Sequence, residues 1–104
     1  MKFFILDEQG QPQPATLMEW GQWFETAHRH IADDHVGDIR ISTVFLGADH
    51  NWRDEGEPLI WETMIFGGDH DQSQWRCSTR EQALAQHDAA VKLAKGESPS
   101  TLDP

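Results

Sequence analysis

Two stretches of alternating side chains, Asp38 to Leu46 and Leu59 to Phe66, constrain this chain more than anything else in it. In the first, Ile39, Ile41, Thr43 and Phe45 alternate with Arg40, Ser42, Val44 and Leu46. In the second, Leu59, Trp61, Thr63 and Ile65 alternate with Ile60, Glu62, Met64 and Phe66. A period of two is that of a β-strand, and this pattern describes a sheet with one face buried under helices and the other half-covered at most. Each strand leaves through glycine into an Asp-His pair, Gly47-Ala48-Asp49-His50 and Gly67-Gly68-Asp69-His70. The rest of the chain has to supply the cover.

Phe3 to Leu6 reads as a first strand, ended by Gly10, Pro12 and Pro14. Thr16 and Glu19 form a capping box that starts a helix, and Leu17, Trp20, Phe24, Ala27 and Ile31 lie on one stripe of it. This helix is expected to run to the Asp33-Asp34-His35-Val36-Gly37 segment. A short strand follows around Trp75 to Cys77. A second capping box, Ser78 to Glu81, then opens a helix with Ala83, Leu84, His87, Ala90, Val91 and Ala94 on its stripe and Gly96 as its stop. The order is β-α-β-β-β-α. It predicts an α+β fold, a four-stranded mainly antiparallel sheet with two helices packed on one face, the first crossover being right-handed. Residues 1–96 form the expected single domain, and the polar, proline-bearing residues 97–104 a disordered tail.

The 18 acidic residues against 8 basic give the 104-residue chain a formal net charge of −10. Phosphate backbones repel such a chain, so direct nucleic-acid binding is not expected, whereas partners with basic surfaces are favoured. Acidity also serves solubility by itself. The lone Cys77 cannot form an internal disulfide, and the apolar run at Met1 to Leu6 is too short for a signal sequence or a membrane span. A cytoplasmic protein that contacts no membrane is the expectation.

The Asp-His repetition invites pairing of the two dyads on a metal, but adjacent antiparallel strands place their exits at opposite ends of a sheet. One end is expected to collect His30, Asp33, Asp34, His35 and Asp38 with Asp69, His70 and Asp71, a rim that either binds a divalent cation or is solvated loop charge. The other end carries the long connection with Asp49, His50, Trp52, Asp54, Glu55 and Glu57. An aromatic among acids suits a partner-binding surface, and this is the candidate contact set, unless Trp52 folds back as a plug. His87 interrupts an apolar stripe and needs partners for its ring nitrogens; Glu62 or Asp49 could supply one, which makes Glu62 and His87 a candidate buried polar pair. No sequence signature marks a nucleophile, a phosphate cradle or a cofactor.

The string Val36-Gly-Asp-Ile-Arg-Ile-Ser-Thr-Val-Phe-Leu-Gly47, followed by Asp49-His50, Trp61-Glu-Thr-Met-Ile-Phe-Gly-Gly68, Arg76, Ser78-Thr79, Glu81 and His87, resembles a family of small uncharacterised proteins encoded by tailed bacteriophages and prophages. The loop after His50 departs from that pattern in being acidic, with Trp52 in place of Phe, and Cys77 replaces an aromatic. The resemblance implies viral or proviral origin and no particular activity. Together with the charge it leads to the expectation of a binding protein rather than an enzyme. Such an accessory factor would modulate or inhibit a host protein or defence complex through its acidic loops, as an anti-CRISPR or other nucleic-acid mimic does. Two alternatives stand beside it: a small metal-binding protein or enzyme using His50, Glu62 and His87, and a minor virion component.

Overall fold

The computed structural model describes residues 1–51 and 56–97. It is an α+β fold with the elements β1 (Phe3–Leu6), β2 (Pro12–Ala15), α1 (Leu17–Thr26), β3 (His30–Val36), β4 (Ile39–Phe45), β5 (Trp61–Phe66), β6 (Gln74–Cys77) and α2 (Arg80–Ala94). Strands β3 to β6 form one antiparallel sheet in the order β3-β4-β5-β6, and β1 and β2 pair apart from it as a hairpin. No helix among the described residues is long and apolar enough to cross a membrane.

Register explains why the main sheet has two unlike faces. Ile41 opposes Ile65, Thr43 opposes Thr63 and Phe45 opposes Trp61, and directly opposed residues share a face. These six are buried, with Cys77 beside Trp61. Helix α2 lies over them, touching all four strands, and its small Ala83 and Ala90 allow the close approach. Trp23 of α1 packs edge-on against Phe45 at a ring-centroid distance of 5.6 Å, so α1 adds cover to the same face at its Phe45–Trp61 end. The hairpin closes that end: Phe4 and Leu6 join the core, and the Phe4 amide donates to the Gly47 carbonyl at 2.8 Å. Gly47 has to be glycine, because its φ is 75° and a Cβ there would stand 2.4 Å from Nε1 of Trp20.

Three local expectations are corrected. Helix α1 keeps its Thr16–Glu19 capping box but ends at Thr26, and the residues assigned by periodicity to its last turns form strand β3 instead. Gly37, at φ 61°, and Asp38 make a two-residue turn that sets Val36 opposite Ile39, and a ladder of pairs to His30 and Val44 then outweighs continuing the helix. Ile31 still reaches the core, through the register shift between His30 and Ala32, whereas Leu17 is 62% exposed. The first strand pairs with Pro12–Ala15, two prolines being tolerated in an edge strand, so no β-α-β crossover runs through the main sheet. The second capping box is Thr79 with Gln82, one residue later than Ser78 with Glu81. Beyond Glu97 the expected tail lies outside the described residues.

Candidate functional site

His87 is 3% exposed and stands where the helix stripe meets the middle of the sheet. Its Nε2 lies 2.7 Å from Oδ2 of Asp34 and its Nδ1 2.7 Å from Oγ1 of Thr43, which is 2.7 Å from Oγ1 of Thr63. A carboxylate only accepts, so Nε2 carries the ring proton. With one ring proton, Nδ1 accepts from the Thr43 hydroxyl, and Thr63 donates to Thr43. This order, inferred from the network, leaves no member without a partner. Carboxylate, imidazole and hydroxyl follow one another as in a nucleophile triad. Yet Thr43 and Thr63 have no exposed surface, so a substrate cannot meet the hydroxyls. What the chain does is tie β3, β4, β5 and α2 together, with its outer end in water, since the Asp34 side chain is 60% exposed.

Glu62 is not part of this chain, contrary to the expected pairing with His87. It projects from the opposite face of β5, where its Oε2 accepts from Nε of Arg76 at 2.9 Å. One residue of strand period separates the two faces, and Glu62 sits on the wrong one. Asp49 does not reach His87 either. It is buried, and its Oδ1 accepts from the amides of Asn51 and Leu59 at 2.8 and 2.9 Å, pinning the two ends of the long connection together. Nδ1 of His50 lies 2.8 Å from the Ala48 carbonyl, to which it donates, leaving Nε2 as the only acceptor of the ring. Glu57 is exposed, and its carbonyl accepts from the Asn51 side chain. Trp52, Asp54 and Glu55 lie outside the described residues. Of the expected contact set, Asp49 and His50 are therefore the fastening of the loop.

The two Asp-His dyads fall at opposite ends of the β4–β5 pair, as the antiparallel register requires. At the Gly67 end, the Asp38 carbonyl would stand 3.3 Å from a Cβ on Gly67, and Asp71 caps the turn by accepting from the Gly67 amide at 2.7 Å. His30 is not at that rim; it opposes Val44 at the far end of β4. Asp33 faces away from Asp34 and holds Arg40 through two bonds, of 3.1 and 2.8 Å. The Arg40 hydrogen bonds keep the Asp33 carboxyl below its ordinary range and raise the guanidinium in turn. Among the described residues no group of three or more His, Cys, Asp or Glu side chains is placed to hold a metal ion.

Cys77 is 6% exposed, and burial pushes its thiol up to about 11, against a weaker lowering by the backbone of Thr79. At neutral pH it is a protonated core thiol rather than a nucleophile. Asp34, Thr43 and Thr63 are the residues sequence reasoning missed as partners of His87. The two threonines carry a signal, being polar residues on the apolar phase of both strands, whereas helical periodicity puts Asp34 at a helix end rather than in β3. No family model, no curated protein and no solved structure matches the chain.

Proposed function

We propose that the protein is a small acidic binding protein of phage or prophage origin that acts in the host cytoplasm by docking on a basic surface of a host protein or defence complex, where it competes with nucleic acid. The observation that carries this reading is where the charge sits. All the described carboxylates other than Asp7, Asp49 and Glu62 are exposed, while the hydroxyl, imidazole and thiol groups of Thr43, Thr63, His87 and Cys77 are buried. A surface of that sign steers toward basic partners and away from phosphate. The contact set is the segment from Trp52 to Glu57, with Asp54, Glu55 and Glu57 supplying charge and Trp52 the anchor, and with Asp49 and His50 fastening its base.

The experiment is a pull-down from host lysate with the tagged chain at about 50 mM and about 500 mM salt, which brackets the screening of surface charge. One stoichiometric partner should be retained at low salt and released at high salt. The triple variant Asp54→Asn, Glu55→Gln, Glu57→Gln should lose that partner while unfolding at an unchanged temperature. Full retention by the triple variant would overturn the contact set, and a partner held equally at both salts would overturn the charge-driven reading.

A further inference from the structure

Among the described residues two buried side-chain polar atoms have no hydrogen-bond partner, Nε1 of Trp61 and Oε1 of Gln86. Such an atom has given up water for nothing, so its presence calls for a reason. Trp61 has no exposed surface, and a ligand could reach its donor only by opening the core. Gln86, by contrast, is half-buried and lines a cleft of about 440 Å³ between β6 and α2. That volume falls within the roughly 300–1,000 Å³ of small-molecule sites.

The lining limits what can enter. Leu59, Cys77 and Ala85 supply apolar wall, and no described Asp or Glu borders the cleft, so a cationic ligand finds no counter-charge in it. Arg76 and Gln82 are already committed. Nε of Arg76 donates to Glu62 at 2.9 Å, and Oε1 of Gln82 accepts from the Ser78 and Thr79 amides at 3.1 and 3.2 Å. An anion would have to compete with Glu62 for the guanidinium, on a chain whose formal net charge of −10 repels it. An uncharged ligand meets neither obstacle, provided that it brings a donor for Oε1 of Gln86. A side-chain amide holds its acceptor and its donor side by side, and a half-turn of its last bond exchanges them. The edge that matches it either way also holds a donor and an acceptor side by side. A primary carboxamide and a cyclic lactam have such an edge. A trans peptide bond, whose N–H and C=O point in opposite directions, does not. From this we infer that the cleft between β6 and α2 binds a small uncharged carboxamide or lactam, whose polar edge pairs with Gln86 and whose body lies against Leu59, Cys77 and Ala85.

Titration of benzamide, uracil and toluene into the full chain, followed by amide NMR, tests this. Benzamide or uracil should saturate with a Kd on the order of 1 mM, moving the Gln86 side-chain NH2 and the backbone amides of Cys77, Ser78 and Ala85. The tighter of the two names the open carboxamide or the ring lactam as the ligand. Toluene, which has the ring without the polar edge, should bind about tenfold or more weakly. Because neither benzamide nor Gln86 is charged, going from about 50 mM to about 500 mM salt should leave the Kd unchanged, unlike docking through the acidic loop. Gln86→Met keeps the length and helix preference of the side chain but removes the unpartnered atom. It should weaken benzamide about tenfold or more and unfold at a temperature no lower than the parent's. Gln86→Glu offers two acceptors and should reverse the preference from benzamide to the benzamidinium cation. A cleft that holds only water gives no saturable shift with either amide probe, which overturns the inference. So does toluene binding as tightly as benzamide, or Gln86→Met binding benzamide as the parent does. An early-unfolding Gln86→Met variant overturns it as well, since the amide would then be a structural group.

Discussion

The two faces of the main sheet are built from the same strands, one residue out of phase, and they solve the problem of polar groups in opposite ways. Under α2, the Thr43 and Thr63 hydroxyls and the His87 ring are cut off from water and are satisfied by a closed chain of three 2.7 Å hydrogen bonds. On the uncovered face, Arg40 and Arg76 meet carboxylates in pairs that solvent still reaches. A buried polar group without a partner is expensive, whereas an exposed ion pair contributes little either way. The difference therefore also fixes register. A slip of one residue would carry Arg40 and Glu62 under the helix and turn Phe45 and Trp61 out to water.

The largest effect that would break this contrast comes from the apolar residues. Trp61→Ala removes a fully buried ring packed against Phe45 at 4.7 Å and should lower stability by about 3–5 kcal/mol. Phe66→Ala, one face over and 40% exposed, should change it by less than about 1 kcal/mol. Urea unfolding with an unchanged denaturant slope measures both, and comparable losses would mean that the second face is covered after all.

Next in size is the polar chain. Thr43→Val leaves Nδ1 of His87 without a donor and Thr63 without an acceptor, and should lower stability by about 1–3 kcal/mol. Thr63→Val removes only the terminal donor and should lower it by about 0.5–1.5 kcal/mol. Added to Thr43→Val, Thr63→Val should have little further effect, because the bond it breaks is already gone. The proton order has its own check. Nitrogen-15 NMR of the ring should report a protonated Nε2 and an unprotonated Nδ1, and the reverse tautomer would dissolve the assignment.

Sequence reasoning reached the sheet's centre and missed its edge for one reason. Residues 39–45 and 61–66 alternate cleanly because one side of each is core, and both helices carry a capping box near the expected start. Strand β3 has the burial pattern of an edge, with His30, Asp33, Asp34 and His35 exposed, so periodicity has nothing to register. Its signal was the turn: Gly37-Asp38 between the β-branched Val36 and Ile39 is a two-residue hairpin dipeptide. Periodicity puts Asp34 at the end of a helix, which hides its contact with His87 and leaves Glu62 or Asp49 as the partner that sequence offers. The internal likeness of Thr43-Val-Phe-Leu-Gly47 and Thr63-Met-Ile-Phe-Gly67 marks the threonine pair, but which residues oppose each other follows only from the antiparallel register.

Cys77 tests how dry the covered face is. The folded state holds the thiol proton up to about 11, against an ordinary value of 9.0, so between those values it binds more protons than the unfolded chain. Its contribution to stability is therefore complete below about pH 9 and declines as pH rises toward 11. Cys77→Ala should flatten that alkaline decline, and the native thiol should react with disulfide reagents only as fast as the fold opens. Rapid labelling of the native protein at neutral pH would place Cys77 outside the core.

The smallest effect lies in the exposed pair. Asp33 is lowered from 3.8 chiefly by its hydrogen bond from Arg40. A carboxyl depressed on folding stabilises above its unfolded value, and that contribution is lost as pH falls through the folded one. Arg40→Ala should therefore move the Asp33 carboxyl titration, read by carbon-13 NMR, back up toward 3.8, and any stability difference from the parent should vanish in acid, where Asp33 is protonated in both. Salt separates this pair from the polar chain on the other face. Raising it to about 1 M shortens the screening length to about 3 Å and should erase the effect of Arg40→Ala. The loss caused by Thr43→Val, which removes hydroxyl bonds shielded from water, should persist at the same salt. If both losses respond alike to salt, the two faces do not differ in solvent access, and the division of the sheet into a sealed face and an open one fails.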